Sequence, residues 1–562
     1  MPLNFFWVFK FFLYIIYITY YNFSILKSSW NYSRKGVNML IKSSRKLGFF
    51  AALSMLVGSV VGIGIFFKNN SVANITEHNG YAWLFAWIIG GLISLFAAIN
   101  FSEISFLKQT KLNGLANWAY QSAGKKAGYL VLFSYSFYYL GILALILGIF
   151  SSEITVWFIQ TASGSEIFLP FYLHLLIGAV FVVFFTTLNY ISVKVSGYFA
   201  LVSTILKFIP LVFAVFAGIL FPNTYNAAGS NTFLNPEKSF NFSKLILALP
   251  AVLFAYDSFL SVGSIHNKVE NANKRVPLII TVGMIIIVIV YTLIGLSSAL
   301  HNKGTINDLI QDVFPKSAER SISIFVAFFL LVSTYGVTNS LNAAFVNQIT
   351  DLVKLNAIVG SASLKKKFNV EKVTIFYLFS ILFFWSLIVY IPSIAIPFPK
   401  SDNSGHGFGT DVLVDAMSNF PSLIFFGVYM TIIIAYSRKK NQLVDKSKQI
   451  NKYLFWIAAV ISSVLIFTTI IAFIYTQIQA VANDINSSSG AGLFAANGLI
   501  LTNLGNFLIF IFHLFIFIAF SFINSYLIKI VDKIDIFNNF EQREIEISEI
   551  MLDEISNSKL NN

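Results

Sequence analysis

About twelve long apolar stretches, divided by short polar ones, set the pattern of this chain. They run near residues 47–67, 81–101, 127–150, 168–189, 197–221, 244–265, 277–299, 318–345, 373–396, 413–436, 453–476 and 499–528. A helix needs about 20 apolar residues to cross the hydrocarbon core of a bilayer. Backbone polar groups in lipid must be bonded within the segment, so these stretches are expected as helices and not as open strands. The pattern therefore predicts an all-α polytopic membrane protein.

Composition agrees. The 562 residues are 57% hydrophobic and 11% charged, where a soluble domain carries about 25% charge. The chain has no cysteine, which removes disulfides, thiolate metal sites and cysteine nucleophiles from consideration. A net charge of +13 reads as a membrane signature rather than a nucleic-acid footprint, because Lys and Arg concentrate in cytoplasmic loops. With the first loop outside, the outer loops hold seven bases: Lys68, Lys238, Lys244, Lys303, Lys316, Arg320 and Lys400. The inner loops hold nineteen, among them Lys365, Lys366 and Lys367 in one run. Both termini are then expected in the cytoplasm. Of the 38 bases, this layout leaves one deep in a span, Lys207.

The two ends of the chain stand apart. Residues 4–26 are apolar but interrupted by Lys10. They read as a thirteenth span, which would move residue 1 outside, as an interfacial helix, or as untranslated sequence upstream of a start at Met39. The last is the expectation favoured here, since Arg34-Lys35-Gly36-Val37 can be encoded by a ribosome-binding purine run. Residues 1–38 are set aside on that basis, and 39–46 form a short basic segment before the first span. The tail, 532–562, carries Glu541, Glu544, Glu546, Glu549, Asp553 and Glu554 and reads as a solvated cytoplasmic extension.

Function must lie in the polar groups left inside the spans. The first span reads Gly58-Ser59-Val60-Val61-Gly62-Ile63-Gly64-Ile65, with three glycines at mid-membrane depth. Glycine permits non-helical backbone and close approach of another group. An unwound stretch is tolerable in a membrane only where it lines a cavity. Its free N–H groups suit a carboxylate and its free carbonyls an ammonium group, the two groups that α-amino acids share. The other reading is close helix packing through small residues. The sixth span reads Phe254-Ala255-Tyr256-Asp257-Ser258-Phe259 after Pro250, and Asp257 is the clearest acid within a span. Spans one and six occupy matching places in two five-helix halves, and interrupted helices so placed point to a transporter site.

With these motifs in order, the chain resembles the amino acid–polyamine–organocation superfamily of permeases from about residue 45 to 530. GSVVGIGIF in span one is very close to the family pattern. Glu103 in FSEIS matches the family's acid at the end of span two. Asn113-Gly114-Leu115-Ala116-Asn117-Trp118 resembles the family's entry to span three, with Asn113 in place of its first glycine. Lys207 and Pro210 match a Lys-x-x-Pro in span five. FAYDSF is similar to FAYxGF, with Ser258 in place of glycine, and Pro277 matches the proline that ends the next loop. Lys268 stands where the family usually has an acid, Glu270 where it often has a base, and Ala272 replaces a proline. The swapped signs suggest rearranged ion pairing in that loop.

The resemblance implies a leucine-transporter-like fold: inverted five-helix repeats, 47–221 and 244–436, plus two peripheral helices over 453–528. It implies amino acid transport by alternating access. It implies that backbone from Ser59 through Val60, Val61, Gly62, Ile63, Gly64 and Ile65 holds the substrate's carboxylate and amine. Backbone at Phe254, Ala255 and Tyr256 would complete the amine site, with Phe254 as a gating aromatic. In some proton-coupled members a span-five lysine stands where sodium-coupled relatives bind an ion, and Lys207 matches it. A buried ammonium is costly and can give up its proton, which would loosen a tie between spans five and one and shift a two-state equilibrium. A structural lysine of constant charge is the competing reading.

Asp257 either contacts a polar or basic substrate or hydrogen-bonds a neighbouring helix. Tyr335, Asn339 and Asn342 share one face of span eight and are candidates for the cavity wall or for interhelical bonds. His174 and His513 read as packing residues. No phosphate loop, metal cluster or catalytic triad is present, and no enzyme chemistry or cofactor is expected. The expected function is a secondary transporter of the plasma membrane: proton-coupled uptake of amino acids, small-molecule substrates, with proton and lipid bilayer as its other partners. The alternatives are an amino acid or polyamine exchanger, or a non-transporting receptor of the same fold.

Overall fold

The structure is a computed structural model that describes residues 47–62, 64–108, 110–165, 167, 169, 171–191, 193–221, 231–234, 236, 238–264, 269–313, 319–395, 412–486 and 503–540. The expectations for residues 1–38, for Ile63, for Lys268 and for the acidic positions from 541 onward lie outside these residues. Among the described residues, eleven helices are long and apolar enough to cross a membrane, and Leu173–Asn189 is a shorter apolar helix where the fourth span is expected. The protein is a multi-pass, all-α membrane protein.

Span one is Phe49–Val60, a π-helical turn Gly64–Lys68, and Asn69–Ile75. Span two is Gly80–Ile104, begun by Asn79, whose side chain accepts from the Ala82 N–H at 3.0 Å. Span three runs Lys125–Phe133, a π-helical stretch Ser134–Leu140, and Gly141–Ser163. Spans four and five are Phe171–Ile191 and Val193–Leu220. Span six is Phe242–Tyr256 and, after a break, Ser261–Ser264. Spans seven to twelve are Ala272–His301, Glu319–Lys354, Val370–Ala395, Val412–Leu443, Lys452–Asn486 and Asn503–Val531.

The expected boundaries are close at most ends, but span eight continues beyond residue 345 to Lys354, span eleven beyond 476 to Asn486, and span three beyond 150 to Ser163. Its 39 residues are about 58 Å long at 1.5 Å per residue, well over the ~30 Å hydrocarbon thickness. Hydropathy marks only the lipid-length part of such a helix. The extension carries Glu153, a buried acid that the span layout leaves out.

The packing is reciprocal. Span one lies against five and seven; span six lies against ten and two. Span three packs on four and nine, and span eight on nine and four. Exchanging each span with the one five places later leaves these pairings unchanged. An odd number of crossings per repeat inverts the second repeat relative to the first, which is the arrangement that puts interrupted helices face to face at the midplane. Spans eleven and twelve sit outside this exchange. Only 33% and 22% of their most apolar windows are buried, against 71% and 83% for spans one and six. Their faces carry exposed Tyr453, Ile457, Phe467, Phe515 and Tyr526, the surface a lipid-facing helix presents.

Candidate functional site

Both expected interruptions are present, and they meet. The span-one helix ends at Val60, and Val61 is extended, with φ −72° and ψ 113°. The span-six helix ends at Tyr256, where Asp257 is extended at φ −71° and ψ −177°. A Cβ on Gly64 would stand 2.6 Å from the Ala255 Cα, and one on Gly62 would stand 2.2 Å from Val337 Cγ2. The glycines thus serve both readings of the sequence: the backbone unwinds, and it packs without room for a side chain. Ser258, where the family pattern has glycine, holds a positive φ of 67°, a conformation that costs an L-residue about 1–2 kcal/mol. Its N–H is met by Asp257 Oδ1 at 2.7 Å, which helps hold the turn.

The carbonyls released by the break are taken up by side chains from other spans. The Lys207 ammonium group, fully buried, donates to Gly58 O at 2.9 Å and Val61 O at 2.5 Å. The Tyr291 hydroxyl of span seven donates to Val60 O at 2.8 Å. Among the described residues no carboxylate forms an ion pair with Lys207; the bonds recorded for it are to the backbone of the break.

A narrow cavity lies between the two breaks. Span one contributes Ser59, Val60 and Gly64; span six contributes Phe254, Asp257 and Ser258. The remaining wall is Tyr139, Leu143 and Leu147 of span three, Val337 and Leu341 of span eight, and Ser422 of span ten. Asp257 is 2% exposed. Its Oδ1 accepts from the Tyr429 hydroxyl at 2.9 Å. The hydroxyls of Tyr139 and Ser422 stand beside the same carboxyl group.

Not every residue singled out from the sequence reaches this cavity. Val61 is buried and turned to Lys207 through its carbonyl, and Ile65 and Ala255 are buried beside the breaks. Tyr256 points away, donating to Trp87 O at 3.2 Å and packing on Trp87 and Tyr291. The span-eight trio lies on a different face from Val337 and Leu341. Tyr335 bonds the Thr155 hydroxyl at 2.8 Å, Asn339 meets Asn189 and Ser196, and Asn342 accepts from Thr186 at 3.0 Å. Those bonds join span eight to spans three, four and five. His513 packs in the interior, with its Nδ1 2.8 Å from the Tyr138 hydroxyl.

Two clusters bracket the site. At the expected outer end, Lys68 is fully buried rather than in a loop. Its ammonium donates to Ser418 Oγ of span ten at 2.8 Å and lies 4.9 Å from the centre of the Phe254 ring. It is a second lysine inside the bundle, missed because the apolar window ends one residue before it. The neighbouring Asn69 accepts from Trp83 at 2.9 Å and Trp87 at 3.0 Å, and donates to Ser298 Oγ and Gly304 O, each at 2.9 Å. At the expected inner end, Glu103 is fully buried and receives the Tyr436 hydroxyl, the Lys440 ammonium and the Ile450 N–H at 2.8, 2.8 and 2.9 Å. Beyond span six, Glu270 pairs with Arg275 at 2.6 Å. Tyr139, Leu143, Leu147 and Ser422 carry no sequence motif; the one available signal is the tyrosine-rich SYSFYYL of the π-helical stretch, since such distortions gather at functional sites.

The amino acid permease family model matches residues 47–488. The chain belongs to that family. This permease is 26% identical over 255 residues to the serine/threonine exchanger SteT of Bacillus subtilis, covering 45% of the chain and 54% of the relative. It is 25% identical over 312 residues to the human b(0,+)-type amino acid transporter 1, covering 52% and 60%. It is 23% identical over 257 residues to the aspartate-proton symporter of Bacillus subtilis, covering 45% and 48%. The chain spans about half the length of the curated relatives it matches.

Proposed function

We propose that this permease is a secondary active transporter that carries amino acids across the plasma membrane by alternating access, with uptake driven by protons. The repeats are 47–221 and 244–436, the peripheral pair is 453–528, and both termini face the cytoplasm if residues 4–26 do not span. The substrate's carboxylate and amine sit on the backbone of the two breaks, from Ser59 to Ile65 and from Phe254 to Asp257.

The observation that carries the coupling is the bonding of Lys207. As an ammonium it makes charge-assisted bonds to Gly58 O and Val61 O, roughly twice as strong as neutral ones. Loss of the proton weakens both and frees the inner half of span one from span five. Protonation thereby selects one arrangement of the break, and a proton gradient biases the cycle.

The test is uptake into proteoliposomes with and without an acidic exterior. Lys207→Ala is expected to lose about ten-fold or more of the stimulation by external acid, the effect of removing a buried charge-assisted bond. Stimulation at the wild-type level in that variant rejects the coupling. A second reading, obligate exchange, is favoured by the name of one relative, a serine/threonine exchanger. It requires that uptake vanish from vesicles not preloaded with an amino acid.

A further inference from the structure

We propose that Gln348 of span eight lies on the passage from the substrate site to the expected cytoplasmic side, and that its side-chain amide, stranded while that passage is shut, favours its opening. The inference rests on the transport reading for the meaning of the passage. Span eight is one continuous helix, Glu319–Lys354, so its faces follow from 3.6 residues per turn. Val337 and Leu341 on this helix wall the cavity. Gln348 comes eleven residues after the first and seven after the second, about three and two whole turns. It therefore continues the cavity face, about 10 Å beyond Leu341 at 1.5 Å per residue.

The polar side chains of span eight fall on two faces that differ. Tyr335, Asn339 and Asn342 are bonded to spans three, four and five. On the cavity face, Ser333, Ser340 and Gln348 have no side-chain hydrogen bond to any described residue. Ser333 and Ser340 stand beside the span-one break: a Cβ on Gly62 or Gly58 would lie 3.5 or 3.7 Å from their hydroxyls. Gln348 is farther in, is fully buried, and strands both a carbonyl and an amino group. The next turn of this face brings Asp351, which is taken: it accepts from Asn113 at 2.7 Å and so ties span eight to the entry of span three. A buried amide without partners costs free energy that a partner would recover. The inner halves of the broken spans, Phe49–Val60 and Ser261–Ser264, both pack on span eight. The breaks let these halves move without their outer halves. When they swing aside, the Gln348 amide gains hydrogen bonds from water and from the α-groups of the departing amino acid. The stranded amide thus raises the shut arrangement toward the open one.

The test replaces the amide by an apolar group of similar length, Gln348→Met, in the full-length chain. That chain has no cysteine, and Ala344→Cys, one turn nearer the cavity on the same face, serves as reporter. Labelling by a membrane-impermeant thiol reagent is followed in everted and in right-side-out vesicles, and the thermal midpoint is read on purified protein. The midpoint is expected to rise. Labelling in everted vesicles is expected to slow about ten-fold, the effect of relieving one unsatisfied buried group, with no slowing in right-side-out vesicles. Gln348→Asn, which keeps an amide, is expected to stay closer to the parent rate. A midpoint that fails to rise overturns the proposal, because the amide would then have partners in the resting fold. A higher midpoint with an unchanged labelling rate overturns it too, since the stranded group would play no part in opening. Equal slowing by Met and Asn assigns the effect to packing and overturns it. Slowing confined to right-side-out vesicles would place Gln348 on the entry side, against the proposal. The expected labelling without uptake of any amino acid into proteoliposomes would leave the role in opening standing and reject the transport reading.

Discussion

At the scale of single residues, the break in span one is made by what its neighbours leave out. Gly62 and Gly64 are both closely covered, but by different things. The atom facing Gly62 is a methyl of Val337, a side chain; the atom facing Gly64 is the Ala255 Cα, which is backbone. The two positions should therefore respond differently to repair. Gly62→Ala is expected to cost about 1–3 kcal/mol and to lower uptake, and Val337→Ala in the same chain should restore much of it. Gly64→Ala should resist any such rescue, because no truncation of Ala255 moves its Cα. Equal rescue at both positions, read from uptake and thermal midpoint, would contradict the geometry. The glycine motif was legible in the sequence because its chemistry is local. Lys207 was legible because a base deep in an apolar stretch has few explanations. The cavity wall of Tyr139, Leu143, Leu147 and Ser422 was not, because a serine or leucine in a membrane helix carries no mark of which way it faces.

At the scale of elements, the two halves of span one are held by different partners. Lys207 ties the inner half to span five. Asn69 ties the outer half to spans two and seven with its side-chain hydrogen bonds filled. Lys68 adds a contact to span ten and covers Phe254. Opening the cavity on the Lys68 side requires span ten to leave Lys68. A cysteine at Leu341 in this cysteine-free chain reports that opening to a membrane-impermeant thiol reagent. Lys68→Met is expected to raise its labelling rate about ten-fold, the effect of losing one buried bond to a charged group. A rate equal to that of the Lys68 protein would assign the residue to packing alone. The sequence placed Lys68 in a loop because span ends are read from hydropathy, and hydropathy cannot see a neighbour that accepts a charge.

At the scale of the whole molecule, the count of spans and their helical nature came directly from the apolar periodicity, because lipid allows few alternatives. The pairing of spans did not. Nothing in the order of residues states that span one meets five or that six meets ten; only the repeat logic of the family pattern anticipated it. The orientation expected from the basic loops has its own check. Single cysteines at Ser239, in an expected outer loop, and Ser363, in an expected inner one, are exposed positions. In intact cells the impermeant reagent should label Ser239→Cys, and should reach Ser363→Cys only after permeabilisation. The reverse pattern would invert the topology and, with it, the direction of transport.

The short helix Phe49–Val60 has twelve residues, and so is a lever about 18 Å long at 1.5 Å per residue. It pivots where Val61 leaves the helix, at the point that Lys207 grips. Each ten degrees of bend at that pivot swings the far end near Phe49 by about 3 Å, close to the width of a water molecule, whose radius is about 1.4 Å. A lysine that does no more than tighten or slacken its hold on two carbonyls thus works near the fulcrum, and the wide movement happens at the other end.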